Sequence, residues 1–303
     1  RALGLVARSQ AGASGLKALS PPRPRRLSHK GLHTFILCPM RWFLESLPDM
    51  ADSSADPEPL AEGTLTHSLI GDMFRALAGA DGRLAPGALQ SAPSLLKQLY
   101  GKAVAGTIRS FGPALQPSLE ATEPRIVDRL IRLVKAEGEF EAAGWEIGKF
   151  EANLAWDRED LGLVLEGRAD RLAKGAGGRF ALVDYKKNGT PSASQVRIGS
   201  DGTIGDFQLA LYALMLSASG LEPGVALYWS VESGKPLYVF GGDAEKPDWQ
   251  SFMPERDAVE SLIRSTVAAM DEGRILQARP DESTCSSCGL KPICRAHFAS
   301  EAR

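Results

Sequence analysis

Two stretches decide how this chain is read: Leu165-Glu166-Gly167-Arg168-Ala169-Asp170-Arg171 and Ala181-Leu182-Val183-Asp184-Tyr185-Lys186-Lys187. Each has a strand-like apolar pattern and ends in charge, and the turn Lys174-Gly175-Ala176-Gly177-Gly178 between them predicts a hairpin. In such a hairpin Asp170 and Asp184 sit side by side at the sheet edge. The period of two then places Asp184 and Lys186 on one face. Two carboxylates converging with an ammonium suit a hard divalent cation such as Mg²⁺. The lysine could hold or help deprotonate an attacking water while the cation stabilises charge growing on a phosphodiester. An Asp-x-Lys tripeptide by itself usually marks a solvated strand face with a weak ion pair. Three features weigh against that here. Gly167 permits close backbone approach. Gln208 and Tyr212, four apart on the next helix, share one face. His67 lies on a helix opening with Gly63-Thr64, where a core position would waste its polar ring.

Outward from the hairpin the pattern is mixed. Residues 145–156 alternate like a strand, and 161–171 and 179–186 are the hairpin strands. After a polar loop at 188–205, residues 207–219 form a strongly apolar helix. Two strands, 225–231 and 236–240, and an amphipathic helix at 256–272 follow. Upstream, Ser28 can cap a helix running to Leu47, residues 48–60 read as an acidic loop, and helices are expected over 63–78, 94–109 and 123–143. The order predicts an α/β fold: a mixed core at 144–274 behind a mainly helical part at 28–143, with a cysteine segment at 275–303.

Composition sets the outer limits. The 303 residues include 35 Lys and Arg against 37 Asp and Glu, with 44% hydrophobic residues, values that exclude fibrous and wholly disordered classes. The longest unbroken apolar run, Leu209 to Leu216, is far too short to span a bilayer, so no membrane is expected and the cytoplasm is the expected location. No acidic residue precedes Glu45, whereas eight basic ones do, leaving 27 basic and 37 acidic residues afterwards. Residues 1–27, rich in Gly, Ser, Ala and Pro, read as a flexible basic linker, with a phosphate-touching arm as the sharper reading. Arg168, Arg171, Lys187 and Arg197 surround the expected site and could contact phosphates.

The cysteines are placed unevenly. Cys38 precedes Pro39, and Cys285, Cys288 and Cys294 lie close together near the other end. Four thiols is the number a zinc ion or an iron–sulfur cluster needs, and spacing alone leaves that choice open.

Taken together, Gly-x-x-Asp at Gly167–Asp170, thirteen intervening residues, Asp184-Tyr185-Lys186, Gln208-x-x-x-Tyr212 and an upstream Gly63-x-x-x-His67 resemble the RecB/AddB-type branch of the PD-(D/E)XK nucleases. The resemblance implies a restriction-endonuclease-like mixed sheet flanked by helices. It implies that His67, Asp170, Asp184 and the Tyr185 carbonyl hold Mg²⁺ or Mn²⁺, that Lys186 is the catalytic lysine, and that Gln208 and Tyr212 support the site and the DNA strand. Glu151 is the candidate for the family's variable extra acid, with Glu166 as competitor on less suitable strand parity. Lys187 and Asn188 depart from the Thr-Gly that many members carry there. Cys38-Pro39-Met40-Arg41-Trp42-Phe43 and the distal Cys-x2-Cys-x5-Cys resemble the branch's [4Fe–4S] ligands, which favours iron–sulfur over zinc and makes Cys38, Cys285, Cys288 and Cys294 a structural staple. The implied activity is a DNA exonuclease in recombination and repair, alone or with a helicase domain or subunit. A nuclease-like binding module that does not cut and a CRISPR-adaptation-type exonuclease are the alternatives.

Overall fold

The computed structural model describes residues 23–47, 57–187, 191–192, 205–274, 282–286, 288–290 and 294. Its helices are α1 (His29–Leu37), α2 (Pro39–Glu45), α3 (Pro57–Leu77), α4 (Ala88–Phe111), α5 (Gln116–Ala121), α6 (Glu123–Ala142), α7 (Gln208–Ala218), α8 (Met253–Asp271) and α9 (Glu282–Ser286). Six strands, β1 (Arg26–Ser28), β2 (Glu146–Arg158), β3 (Leu163–Lys174), β4 (Arg179–Lys186), β5 (Glu222–Ser230) and β6 (Pro236–Phe240), form one sheet in the order β1-β3-β4-β5-β6, with β2 also pairing β3. This is the expected mixed α/β architecture. None of the described helices is long and apolar enough to cross a membrane.

The apolar run Phe180–Val183 belongs to a strand covered on both sides. β4 accordingly lies inside the sheet, antiparallel to β3 and parallel to β5. Parallel neighbours need a crossover, and α7 supplies it between β4 and β5. Its residues from Leu209 to Leu216 are all buried, which explains why α7 is apolar all round. In the β3/β4 ladder Arg171 stands opposite Val183, so Asp170 and Asp184 come one step further along. The two aspartates thus meet at the end of an interior ladder, not on an edge strand.

By its internal contacts the chain divides into two units, one of Arg1–Ala55, Asp157–Leu165 and Glu260–Arg303, the other of Asp56–Trp156 and Glu166–Val259. In the second unit, Leu65, Leu69, Met73 and Phe74 of α3 share a core with Leu96 of α4, Leu130 and Leu133 of α6, and Ala181, Val183 and Tyr185 of β4. Arg171 lies fully buried there. Its guanidinium forks onto Glu137 of α6, with Nη1 2.7 Å from Oε2. Nε donates to the Ile147 carbonyl at 2.6 Å, and Nη1 reaches the Tyr185 hydroxyl at 3.1 Å. The rings of Phe74, Phe140 and Phe150 lie 5.4 to 5.7 Å from it. This corrects the expectation that Arg171 contacts phosphates. Neighbours on a strand point to opposite faces, so with Asp170 in the site Arg171 turns into the core.

In the first unit, Ser28 caps α1 as expected, its hydroxyl accepting from the Gly31 amide at 3.2 Å. The single helix expected from there to Leu47 is instead two. Cys38 takes an extended conformation between them, and its Sγ accepts from the Arg41 amide at 3.3 Å at the start of α2. Pro39 explains the break: proline disfavours helical backbone in the residue before it but suits a first helical turn. The same tolerance corrects the acidic loop, because Pro57 and Pro59 open α3. Residues 48–56 lie outside the described residues.

Candidate metal and nucleic-acid site

Three elements of the second unit converge on an open cleft of about 610 Å³ lined by residues that include His67, Glu151, Arg168 and Asp170. α3 contributes His67, β2 contributes Glu151, and β3 contributes Arg168 and Asp170. One ligand atom from each of His67, Glu151 and Asp170 lies within 4.8 Å of the others, the single such group among the described residues. An imidazole and two carboxylates that close together fit a divalent cation such as Mg²⁺ or Mn²⁺ by donor type.

The backbone places Glu151 there at a cost. It is the one non-glycine residue with positive φ, 52°, among the described residues. Left-handed backbone in a glutamate is strained, and such strain persists only where the surroundings hold it. Nearby, Gly148 also has positive φ, and a Cβ there would stand 2.0 Å from the Leu172 carbonyl oxygen of β3. β2 is therefore pressed onto β3 just before it turns Glu151 into the cleft. Glu166, the sequence competitor, is not in the ligand group.

Each candidate carboxylate already has a partner. Asp170 Oδ2 accepts from the Tyr185 amide at 2.8 Å and lies 3.4 Å from His67 Nδ1. Glu151 Oε2 is 2.7 Å from Arg168 Nε. Asp184 meets Lys186 Nζ at 2.9 Å through Oδ2 and accepts from Gln208 Nε2 at 2.8 Å through Oδ1. Asp184 thus adjoins the ligand group without being part of it. Burial, then the charge of Asp170, pushes its pKa up to about 6 against the pull of Lys186. Burial lowers the His67 pKa, but the hydrogen bond and charge of Asp170, with Asp184 and Glu151 behind it, raise it overall. Burial likewise opposes the Lys186 ammonium, yet Asp184, Asp206 and Asp170 leave its pKa above the ordinary value.

Gln208 and Tyr212 come to the same place. Gln208 Oε1 accepts from Lys186 Nζ at 3.4 Å, so its amide bridges Asp184 and Lys186. A Cβ on Gly167 would stand 2.3 Å from the Tyr212 ring, so the close approach expected at Gly167 is to this tyrosine. The Tyr185 side chain is buried in the core with Arg171.

Sequence reasoning missed Asp206 and Tyr228. Asp206 Oδ2 lies 4.0 Å from Lys186 Nζ, and the Tyr228 ring lies 4.5 Å beneath it. Asp206 Oδ1 also accepts from the Gln208 amide at 2.9 Å as α7 begins. An aspartate that accepts from the amide two residues on forms an Asx turn, a recognisable signal just before a helix. Tyr228 gave none, since it reads as one more aromatic in a buried strand. Lys187 reaches Glu62 at 3.0 Å and Arg125 reaches it at 2.8 Å. Arg197 and Asn188 lie outside the described residues.

The cysteines belong to the first unit. Among the described residues no disulfide joins them. Burial raises the Cys38 thiol pKa, and the charges of Cys294 and Cys285 add to it, which puts those two within electrostatic reach. The four do not close into a ligand group as tight as that of His67, Glu151 and Asp170.

No curated protein matches the chain. A crystal structure from Eubacterium rectale, named provisionally as an exonuclease, is similar at 12% identity and a TM-score of 0.42, over 95% of this chain and 92% of that one. That likeness is too slight to carry an argument. A family model described as the PD-(D/E)XK nuclease superfamily matches residues 26–295, a span that contains His67, Glu151, Asp170, Asp184 and Lys186 in the arrangement above. Covering most of the chain, that match shows that the protein belongs to the PD-(D/E)XK nuclease superfamily.

Proposed function

We propose that the protein is a divalent-metal-dependent deoxyribonuclease of the RecB/AddB type that hydrolyses phosphodiesters from DNA ends. The observation that carries this reading is the convergence of His67, Glu151 and Asp170 beside the Asp184–Lys186 pair. His67, Glu151 and Asp170 would hold Mg²⁺ or Mn²⁺, with Asp184 and the Tyr185 carbonyl as further oxygen donors. When bound, the cation supplies Lewis acidity and neutralises charge on the phosphoryl oxygens. The rest falls to the chain's own side chains. Lys186, kept cationic by Asp184 and Asp206, donates toward the phosphate oxygens on which charge grows. Gln208 fixes the angle between Asp184 and Lys186, and the Tyr212 ring on the same helix packs against Gly167 of β3.

Digestion of end-labelled single- and double-stranded DNA, linear and circular, with Mg²⁺ or Mn²⁺ tests this. Lys186→Ala is expected to lower cleavage on the order of 10²-fold or more while the fold persists. Full activity in that variant would sink the reading. Sparing of circles supports an exonuclease, as the resemblance implies. The cofactor of the first unit is proposed separately, as a [4Fe–4S] cluster on Cys38, Cys285, Cys288 and Cys294, with zinc as the competitor. Cysteine type and number support it. Iron and sulfide analysis of anaerobically prepared protein decides it, and zinc without iron would overturn it. A recombination or repair role beside a helicase follows only from the RecB/AddB resemblance.

A further inference from the structure

The carboxylates of the candidate metal site are engaged by side chains of the protein itself. Asp184 is held by Lys186, Asp170 by His67, and Glu151 by Arg168. The last pair differs from the others. The Arg168 side chain is 66% exposed and that of Glu151 37%, whereas those of Lys186 and Asp184 are 28% and 8%. An ion pair so open to water is weak and easily exchanged. The root of Arg168, by contrast, is held, because the Tyr212 ring packs on Gly167 beside it, so closely that a Cβ there would stand 2.3 Å from the ring. A long side chain with a fixed root and an exposed tip lies beside the ligand group in the same cleft. The other arginine lining that cleft, Arg75, pairs at 2.6 Å with Asp72, which is not one of the ligand group, so a cation there would not displace it.

We propose that Arg168 is the phosphate-binding residue of this cleft and that Glu151 stands in for the phosphate when the cation is absent. A cation taken up by His67, Glu151 and Asp170 removes the partner of Arg168 and repels its guanidinium. The guanidinium then turns to a non-bridging oxygen of the incoming phosphodiester, which it can meet with two parallel N–H donors. Metal and nucleic acid are thereby coupled through one side chain, and the coupling is reciprocal: each raises the affinity for the other by the same factor. The proposal rests on the nuclease reading and adds to it an order of events, cation first and phosphate second.

Two binding measurements on the full chain test it without cleavage. The first is Mn²⁺ titration by calorimetry in the absence of DNA. The second is anisotropy of fluorescein-labelled oligo(dT), in EDTA and in Ca²⁺. Arg168→Gln is expected to bind Mn²⁺ several-fold tighter, since nothing competes for Glu151, and to lose most of the gain in oligo(dT) affinity that Ca²⁺ gives the wild type, about tenfold. Glu151→Gln is expected to move the other way, binding oligo(dT) in EDTA nearly as tightly as the wild type does in Ca²⁺. The double variant Glu151→Gln/Arg168→Gln should lose that gain. A gain that survives in the double variant overturns the proposal, because it then reflects lost negative charge alone. Cleavage by the wild type with no shift of either readout in Arg168→Gln also overturns it, and leaves the nuclease reading standing. A wild type that neither binds nor cuts DNA under any cation removes the nuclease reading and the phosphate half of the proposal, while the Mn²⁺ titration still decides the exchange at Glu151.

Discussion

Arg171 is sealed in the core and forks onto Glu137, with a carbonyl, a hydroxyl and three aromatic rings around it; Arg168, three residues earlier on β3, is two-thirds exposed and meets Glu151 in an open cleft. The two have the same chemistry and opposite surroundings. Burial makes the Arg171 pair costly to break, because either charge left alone in the core has neither water nor a partner. Exposure makes the Arg168 pair easy to exchange, because water replaces either partner. One strand thus offers a fixed face that aligns β3 with β4 and α6, and a face whose groups remain available. A site that must accept a cation and release products needs both.

Breaking the fixed side should have the largest effect. Glu137→Gln or Arg171→Ala is expected to cost about 3–5 kcal/mol of stability, read as a lower urea midpoint. Cleavage should fall with it, because Tyr185, which bonds Arg171 through its side chain and Asp170 through its amide, loses its anchor. A loss under about 1 kcal/mol would show that the core absorbs the change and that the two arginines differ less than their burial implies. Gly167→Ala comes next. Its Cβ would overlap the Tyr212 ring, an overpacking expected to cost about 1–3 kcal/mol. The effect should shrink in Gly167→Ala/Tyr212→Leu, and purely additive losses in that double variant would rule out the contact as the cause.

How much of this could be read beforehand follows from distance along the chain. Asp184 and Lys186 share a face by strand period, and Asp170 joins them by one hairpin turn, so that corner was legible in two short stretches. Glu151 was legible as an acid on the preceding strand, but its meeting with His67 required a left-handed residue in β2 that no sequence pattern announces. Arg171 looks like a site cation by position alone, but the alternation that places Asp170 in the site turns Arg171 to the core, where its partner Glu137 lies on a helix 34 residues away. Tyr228 was invisible because an aromatic under a lysine and an aromatic in a core strand look alike in sequence. The helix broken at Cys38 and the early start of α3 both turned on proline, which marks a first helical turn as readily as a loop.

The exposed side is sharpened by smaller effects. Glu151→Gly keeps the left-handed backbone without the strain a side chain brings, and it also removes a carboxylate facing Asp170. The variant is expected to be more stable by about 0.5–1 kcal/mol while binding Mn²⁺ more weakly, the trade-off expected where strain serves a site. Equal or lower stability in urea would mean that glycine's entropy in the unfolded chain outweighs the relief.

The smallest effect belongs to Arg168→Ala, and its smallness is the point. If the pair with Glu151 is as exchangeable as its exposure implies, removing the guanidinium should shift the urea midpoint by no more than about 0.5 kcal/mol equivalent. Glu151 then loses a partner that water replaces, and the β3 backbone keeps its packing against the Tyr212 ring at Gly167. A loss approaching that of Arg171→Ala would place Arg168 among the groups that hold the fold. Its salt bridge would then be a fixed part of β2–β3 pairing, and it could not leave Glu151 when a cation arrives. Measuring the two alanine variants side by side in one titration series sets both ends of the comparison on the same scale.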